Sequence, residues 1–255
     1  MKSNDSLGDR MKGYEIASRN SLTKRIPVIV RVDGKAFHTF CKRFERPYDA
    51  FLNDSLNQSM KYVCERVQGV KFAERHSDEL SFLLTDFDTI QTDAYFEYSV
   101  QKMVSVIASM VTGEFCKAMT TSLARNDYLS WSEDWPSFDA RAFNIPESDV
   151  VNYFLWRQKD CLRNGLSMLS QSLFSHKELQ GKNSSDMQEM LFSKHNINWN
   201  DVEQYKKTGF LCKKERKTVE TENGIGYRNK WVICFGARDR QELDYIISSI
   251  PLVKE

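Results

Sequence analysis

The hydrophobic period of this chain changes in a fixed order over residues 27–143, and that order restricts the fold more than any other feature. Residues 27–33 (PVIVRVD) are β-branched and apolar, which predicts a buried strand. Phe51, Leu52, Leu56, Met60, Val63, Cys64 and Val67 then recur at helical spacing, and Gly69 ends that helix. Residues 70–74 and 79–84 predict two strands around a tight turn of Arg75, His76, Ser77 and Asp78. In the second strand Leu80, Phe82 and Leu84 alternate, as one face of a sheet requires. Phe96, Val100, Met103, Val104, Ile107, Val111 and Phe115 mark a second long helix, and residues 138–143 a fourth strand. This β-α-β-β-α-β order is the ferredoxin-like, split βαβ arrangement. Right-handed crossovers place its first and third strands side by side and antiparallel in mid-sheet, with the helices on one face.

The rest of the chain reads as helices and one hairpin. Ser148 or Asp149 can cap a long helix through Leu173, with Pro146 just outside it. Shorter helices are expected over 186–194 and 201–207, a hairpin over 209–235 with Asn223 and Gly224 in its turn, and a closing helix over 238–249. The fold class is therefore α+β. Residues 1–145 form the ferredoxin-like region and 146–255 a helical and hairpin region integrated with it.

Composition narrows the function classes. A hydrophobic fraction of 41% over 255 residues supplies a substantial core. Lys+Arg 36 against Asp+Glu 35 is a net charge of +1, so any nucleic-acid site must come from local clustering of charge. Cys41, Cys64, Cys116, Cys161, Cys212 and Cys234 are too dispersed for a zinc knuckle or a redox pair, and read as reduced thiols of a cytoplasmic protein. The opening MKSNDSLGDRMK has no apolar core of a signal peptide, and the most apolar stretch, residues 103–111, is too short to span a bilayer. No membrane partner is expected.

Asp33 ends the first strand and Gly34 follows it, while Asp78 opens the third strand. The topology brings these carboxylates to one edge of the sheet. Two aspartates there can bridge two Mg²⁺ ions about 4 Å apart, as two-metal phosphoryl-transfer sites do. Gly34 lets a backbone carbonyl approach a metal. Spacing alone leaves a second reading open, since aspartate after a strand is commonly a turn residue.

Longer motifs point further. RVDGKAFHTF (31–40), FERPYD (44–49) and ERHSDELSFLL (74–84) resemble, in order, the core motifs of the tRNA-His guanylyltransferase-like family. LWRQKDC (155–161) and EMLFSKHNINWN (189–200) are similar to its later landmarks, so the resemblance covers residues 26–207. It implies a polymerase-like palm and a nucleotidyltransferase that extends the 5′ end of tRNA in the 3′-to-5′ direction. In that chemistry ATP adenylylates the 5′-monophosphate. The 3′-hydroxyl of GTP or another nucleoside triphosphate then attacks the activated end and expels AMP. The resemblance also implies that Asp33, Asp78 and the Gly34 carbonyl hold two Mg²⁺. Arg31, Lys35, Ala36, Phe37, His38, Arg46, Ser77 and Lys102 fall on positions that face the nucleotide. Arg46 replaces the usual lysine, keeping the charge with a planar fork. Glu79, next to the metal aspartate, has a supporting role. A packed His38 and a solvated Lys102 remain alternatives. The second half would hold tRNA through Lys206, Lys207, Lys213, Lys214, Arg216 and Lys217, unless that run is only a solvated face. A homotetramer, a dimer of dimers, is the assembly the resemblance implies.

One segment departs from the family. After Asp160-Cys161 the eukaryotic-type enzymes carry HINNLYN; here residues 162–168 keep only Asn164 and Leu166 of it. This pattern is similar to the Thg-like (TLP) branch, which repairs truncated tRNA 5′ ends against the opposite strand. tRNA-His-specific guanylylation is the alternative. From other classes, a palm-type nucleotide cyclase or a non-catalytic RNA-binding module stacking bases on Phe72 and Phe82 would share the topology.

Overall fold

A computed structural model of the chain describes residues 6–126, 135–221, 224–236 and 240–251. In chain order the elements are α1 (Ser6–Ala17), β1 (Val28–Gly34), α2 (Phe37–Phe40), α3 (Ala50–Arg66), β2 (Val70–His76), β3 (Glu79–Leu84), α4 (Val100–Asn126), β4 (Phe138–Asn144), α5 (Glu147–Leu173), α6 (His176–Leu179), α7 (Ser184–His195), α8 (Gln204–Thr208), β5 (Phe210–Thr221), β6 (Gly224–Phe235) and α9 (Arg240–Ser249). The strand-helix order read from the sequence holds. β1 and β3 are adjacent and antiparallel, with Val30 opposite Phe82.

The sheet is longer than expected. Its order is β4-β1-β3-β2-β5-β6, so the C-terminal hairpin extends the same sheet beyond β2. Ala73 pairs with Cys212 and Arg75 with Phe210. The palm's own helices, α3 and α4, share one face as expected, and α5 and α9 from the C-terminal region cover the other. Val28, Val30 and Val32 pack with Leu56 and Met60 of α3 and Met103 and Ile107 of α4. The alternate residues, Ile29, Phe72 and Leu83, pack with Val150 and Phe154 of α5 and Ile246 of α9. This is the period-two alternation of a strand buried on both sides. A third cluster, Leu166, Phe174, Leu179, Leu191 and Trp199, joins the end of α5 to α6 and α7.

Several boundaries differ for local reasons. β2 continues through His76, so only Ser77 and Asp78 form the turn to β3, and Ser77 takes a φ of 52°. α5 begins at Glu147 with Pro146 as its N-cap and no side-chain cap. Ser148 and Asp149 lie inside its first turn, where the acidic Glu147 and Asp149 suit the positive end of the helix dipole. α3 is capped by Asp49 of the FERPYD motif, whose Oδ1 accepts the Leu52 N–H at 2.8 Å. The expected helix over 201–207 is α8 preceded by the short 3-10 turn Trp199–Asp201. The hairpin's last pair is Thr221 with Gly224; Asn223, expected in its turn, and Arg238, expected to open the last helix, lie outside the described residues. No helix among the described residues is long and apolar enough to cross a membrane.

Candidate active site

β1 and β3 end side by side, and the chain must turn sharply at both ends. Asp33 and Gly34 close β1, and the Lys35 N–H donates to the Ser137 carbonyl at 2.8 Å. Ala36 then takes a left-handed conformation, φ 52° and ψ 31°, which directs Phe37 back into the core. There its ring meets Phe40, Phe115 and Phe138 at centroid distances of 5.1, 5.7 and 5.4 Å. Gly34 is bare for a concrete reason. A Cβ at this position would lie 2.7 Å from Asp78 Oδ2 and 2.4 Å from the Phe37 ring. The carboxylate of the second aspartate therefore sits against the backbone that follows the first, so the convergence expected from topology is present.

Asp33 and Asp78 open onto a cleft of about 470 Å³. One wall holds Asp33, His38, Arg46, Ser77 and Asp78, and the other Asn164, Met168, Gln171, Tyr205 and Lys206. Neither aspartate has an ion-pair partner among the described residues. Burial, and to a lesser degree the Asp33 charge, push the Asp78 carboxyl up to about 6, against hydrogen bonds from its own backbone and the Ser77 hydroxyl. An uncompensated carboxylate pair of this kind fits a divalent cation. The donor set is two carboxylates and the Gly34 carbonyl; no group of three or more acidic, histidine or cysteine side chains suited to a metal occurs among the described residues.

The raised Asp78 pKa has a stability consequence. The folded carboxyl holds its proton more tightly than an unfolded aspartate, with a pKa of about 3.9, so metal-free protein loses stability as pH rises through that range to about 6. We predict that Asp78→Asn stabilises the metal-free protein near neutral pH by about 2 kcal/mol, and that this gain vanishes at about pH 4. Thermal melts in chelator at both pH values check it; a variant less stable than the parent at neutral pH would contradict the assignment.

Glu79 is not available to a ligand. Arg157 of α5 clamps it with Nε at 2.6 Å from Oε1 and an Nη2 at 2.7 Å from Oε2. Arg31 joins from β1, its Nε 3.5 Å from Glu79 Oε2. Arg157 also reaches Asp160 at 2.8 Å, so the WRQKDC motif fastens α5 to β3 beside β1. His76, which lines the cleft, forms a buried ion pair with Glu74. Burial alone would lower the imidazole, but the Glu74 carboxylate outweighs it and lifts His76 to about 10.

The other candidates are spread wider. Lys206 reaches the cleft, pairs with Glu203 at 2.6 Å and lies 5.2 Å from the Tyr48 ring. Lys207 donates to the Asn200 carbonyl at 2.8 Å. Lys213 and Lys214 lie on β5, Lys213 3.9 Å from Glu215 and Lys214 5.0 Å from the Trp231 ring. Arg216 stacks 4.0 Å from Tyr227 on the same hairpin. Arg31 and Lys102 do not line the cleft; Lys102 is exposed on α4. Sequence reasoning missed Tyr48, Tyr205 and Gln171 as cleft residues. In the segment that departs from the family, Leu162 packs partly buried against the third core cluster, while Asn164 and Met168 line the cleft. Gly165 makes this wall possible: a Cβ there would lie 2.3 Å from the Lys206 carbonyl, so only glycine lets α8 approach α5 so closely.

A palm-like sheet presenting two unpaired aspartates to a polar and aromatic cleft has the equipment of a nucleotidyltransferase. Comparison with known proteins makes the class specific. A family model described as tRNAHis guanylyltransferase matches residues 8–146, and one described as the Thg1 C terminal domain matches residues 148–242. The chain belongs to the tRNAHis guanylyltransferase family, and is an enzyme of that nucleotidyltransferase class. It is similar to a bacterial tRNA(His) guanylyltransferase (Thg1)-like protein solved in complex with ATP, at 36% identity over 96% of this chain and 98% of that one, with a TM-score of 0.84. A second such structure, in complex with GTP, shows 35% identity over 97% and 100% of the two chains and a TM-score of 0.81. The tRNA(His) guanylyltransferase of Schizosaccharomyces pombe is 30% identical over 77% of this chain and 76% of its own. The resemblance read from the motifs therefore holds, and the structural neighbours agree with the Thg-like branch.

Proposed function

We propose that this enzyme adds nucleotides to the 5′ end of tRNA in the 3′-to-5′ direction, as template-dependent repair of truncated ends after ATP activation of the 5′-monophosphate. The observation that carries the reading is the pair of carboxylates, Asp33 and Asp78, which line the cleft together and have no ion-pair partner among the described residues. The ATP and GTP complexes of its structural neighbours support it. Asp33, Asp78 and the Gly34 carbonyl would hold two Mg²⁺, which lower the pKa of the attacking hydroxyl and neutralise the triphosphate.

The chain's own groups do the rest. Arg46 and Ser77, on the aspartate wall, bind triphosphate oxygens. Tyr48 and Tyr205, whose rings meet edge-on at 6.2 Å, offer apolar faces to a base. The hairpin alternates cations with aromatic rings, Lys214 with Trp231 and Arg216 with Tyr227, which suits RNA phosphates and unpaired bases.

The cleft wall refines the argument for templating. Leu162 packs against the third core cluster and does not line the cleft. What the cleft does show is Asn164 and Gln171 beside Met168, two amides that can each both donate and accept. Such groups accommodate any of the four bases, and leave the choice to the base opposite. A mismatch that displaces the 3′-hydroxyl by about 1 Å costs on the order of a hundredfold in rate. The test uses several tRNAs lacking their first nucleotide, with each base in turn at the opposing position. The preferred nucleotide is expected to switch with that base. Addition of G alone, to tRNA-His alone, regardless of the opposing base, would instead establish a dedicated guanylyltransferase.

A further inference from the structure

Arg75 is buried, 1% exposed, on β2 beside the cleft. Among the described residues no carboxylate forms an ion pair with it. Its hydrogen-bond acceptors are all neutral. Nε donates to Asn57 Oδ1 at 2.9 Å, Nη2 to Asn53 Oδ1 at 2.8 Å, and Nη1 to the Ser77 carbonyl. The Phe210 ring lies 4.5 Å from the guanidinium, across the β2–β5 pair. Burying a cation without a direct ion pair is costly, and burial draws its pKa down to about 10, offset only in part by the more distant charges of Asp78 and Asp54. Exchanging such a group for an apolar residue of similar volume removes this desolvation cost along with its hydrogen bonds.

The acceptors show what the guanidinium does. Asn53 and Asn57 lie on α3. Ser77 is the left-handed first residue of the turn, a conformation unfavourable for serine, and Asp78 follows it. One rigid fork thus ties the turn to a helix anchored in the main core.

We propose that Arg75 is a positioning residue, which holds the Ser77–Asp78 turn in the geometry that lets Asp78 share a metal with Asp33. The inference rests on the reading of Asp78 as a metal ligand. Lysine keeps the charge but cannot reach three acceptors in a plane. The fork, rather than the charge, is what the turn requires.

The test compares Arg75→Met, Arg75→Lys and Asp78→Asn with the parent. Addition of radiolabelled nucleotide to a 5′-triphosphorylated, truncated tRNA is titrated with Mg²⁺, and Tm is measured without metal. Arg75→Met should keep or raise Tm, lower kcat on the order of a hundredfold, and raise the Mg²⁺ needed for half-maximal rate several-fold. Arg75→Lys should fall between it and the parent. A parallel fall of activity and Tm with unchanged Mg²⁺ dependence would make Arg75 an ordinary structural residue and overturn the proposal, as would parental kinetics. If Asp78→Asn is inactive while Arg75→Met keeps the parental Mg²⁺ requirement, only this proposal fails. If Asp78→Asn stays fully active, the metal assignment falls and this inference with it.

Discussion

Asp33→Ala and Asp78→Ala are each expected to lower nucleotide addition on the order of a thousandfold or more while the fold persists. The size follows from the site. Removing a single donor that stabilises transition-state charge commonly costs a hundred- to a thousandfold, on the order of 3 to 4 kcal/mol. In the proposed site each aspartate would supply half of the side-chain charge offered to two divalent ions. The persistence of the fold follows from the same geometry. Neither carboxylate forms an ion pair with a cation among the described residues, so truncation breaks no ion pair. Single-turnover assays at saturating Mg²⁺, with circular dichroism as the check on folding, measure both halves. Activity within tenfold of the parent in either variant would remove that aspartate from the metal site.

The largest effect on stability is expected at Arg157. This guanidinium takes both oxygens of Glu79, and both residues are buried. Breaking such a pair from one side strands an uncompensated charge, which costs about 3 to 5 kcal/mol. Arg31, at 3.5 Å through one nitrogen, cannot replace a two-point contact. Arg157→Met should therefore lower the denaturation midpoint sharply. The double variant Arg157→Met/Glu79→Leu should recover most of the loss, because it removes the stranded charge along with its partner. A single variant costing less than about 1 kcal/mol, or a double variant no better than the single, would show that the pair is not the tie between α5 and the sheet.

How much of this was legible in the sequence depended on whether the signal was local. The alternation of Leu80, Phe82 and Leu84 and the helical spacing of Leu56, Met60 and Val63 are set by neighbours along the chain, and both elements are where the pattern put them. The meeting of Asp33 and Asp78 followed from topology, since handed crossovers leave few ways to connect such strands. Arg75 and His76 were assigned to a turn because charged residues rarely sit inside a sheet. Their burial depends on Asn53, Asn57 and Phe210 for one and Glu74 for the other, contacts that no local pattern announces. The placement of Leu162 was not legible either, because which side of α5 a residue presents is fixed by packing against α6 and α7. The joining of β5 to β2 was invisible for lack of any sequence mark on the edge of β2.

That last pairing bears on how the molecule is made. Strands β1, β2, β3 and β4, with α3 and α4, can come together as soon as residue 144 is available. Phe210, which covers the guanidinium of Arg75, and Tyr205 and Lys206, which wall the cleft, belong to a part of the chain synthesised much later. Contacts so distant in sequence carry a large loop-closure cost and form late. On the ribosome, the acidic half of the proposed catalytic centre would therefore exist first, without the wall formed by Tyr205 and Lys206. Competence for the reaction arrives as a single late event, when the hairpin docks along β2, and a chain truncated before it would be a folded palm with no substrate.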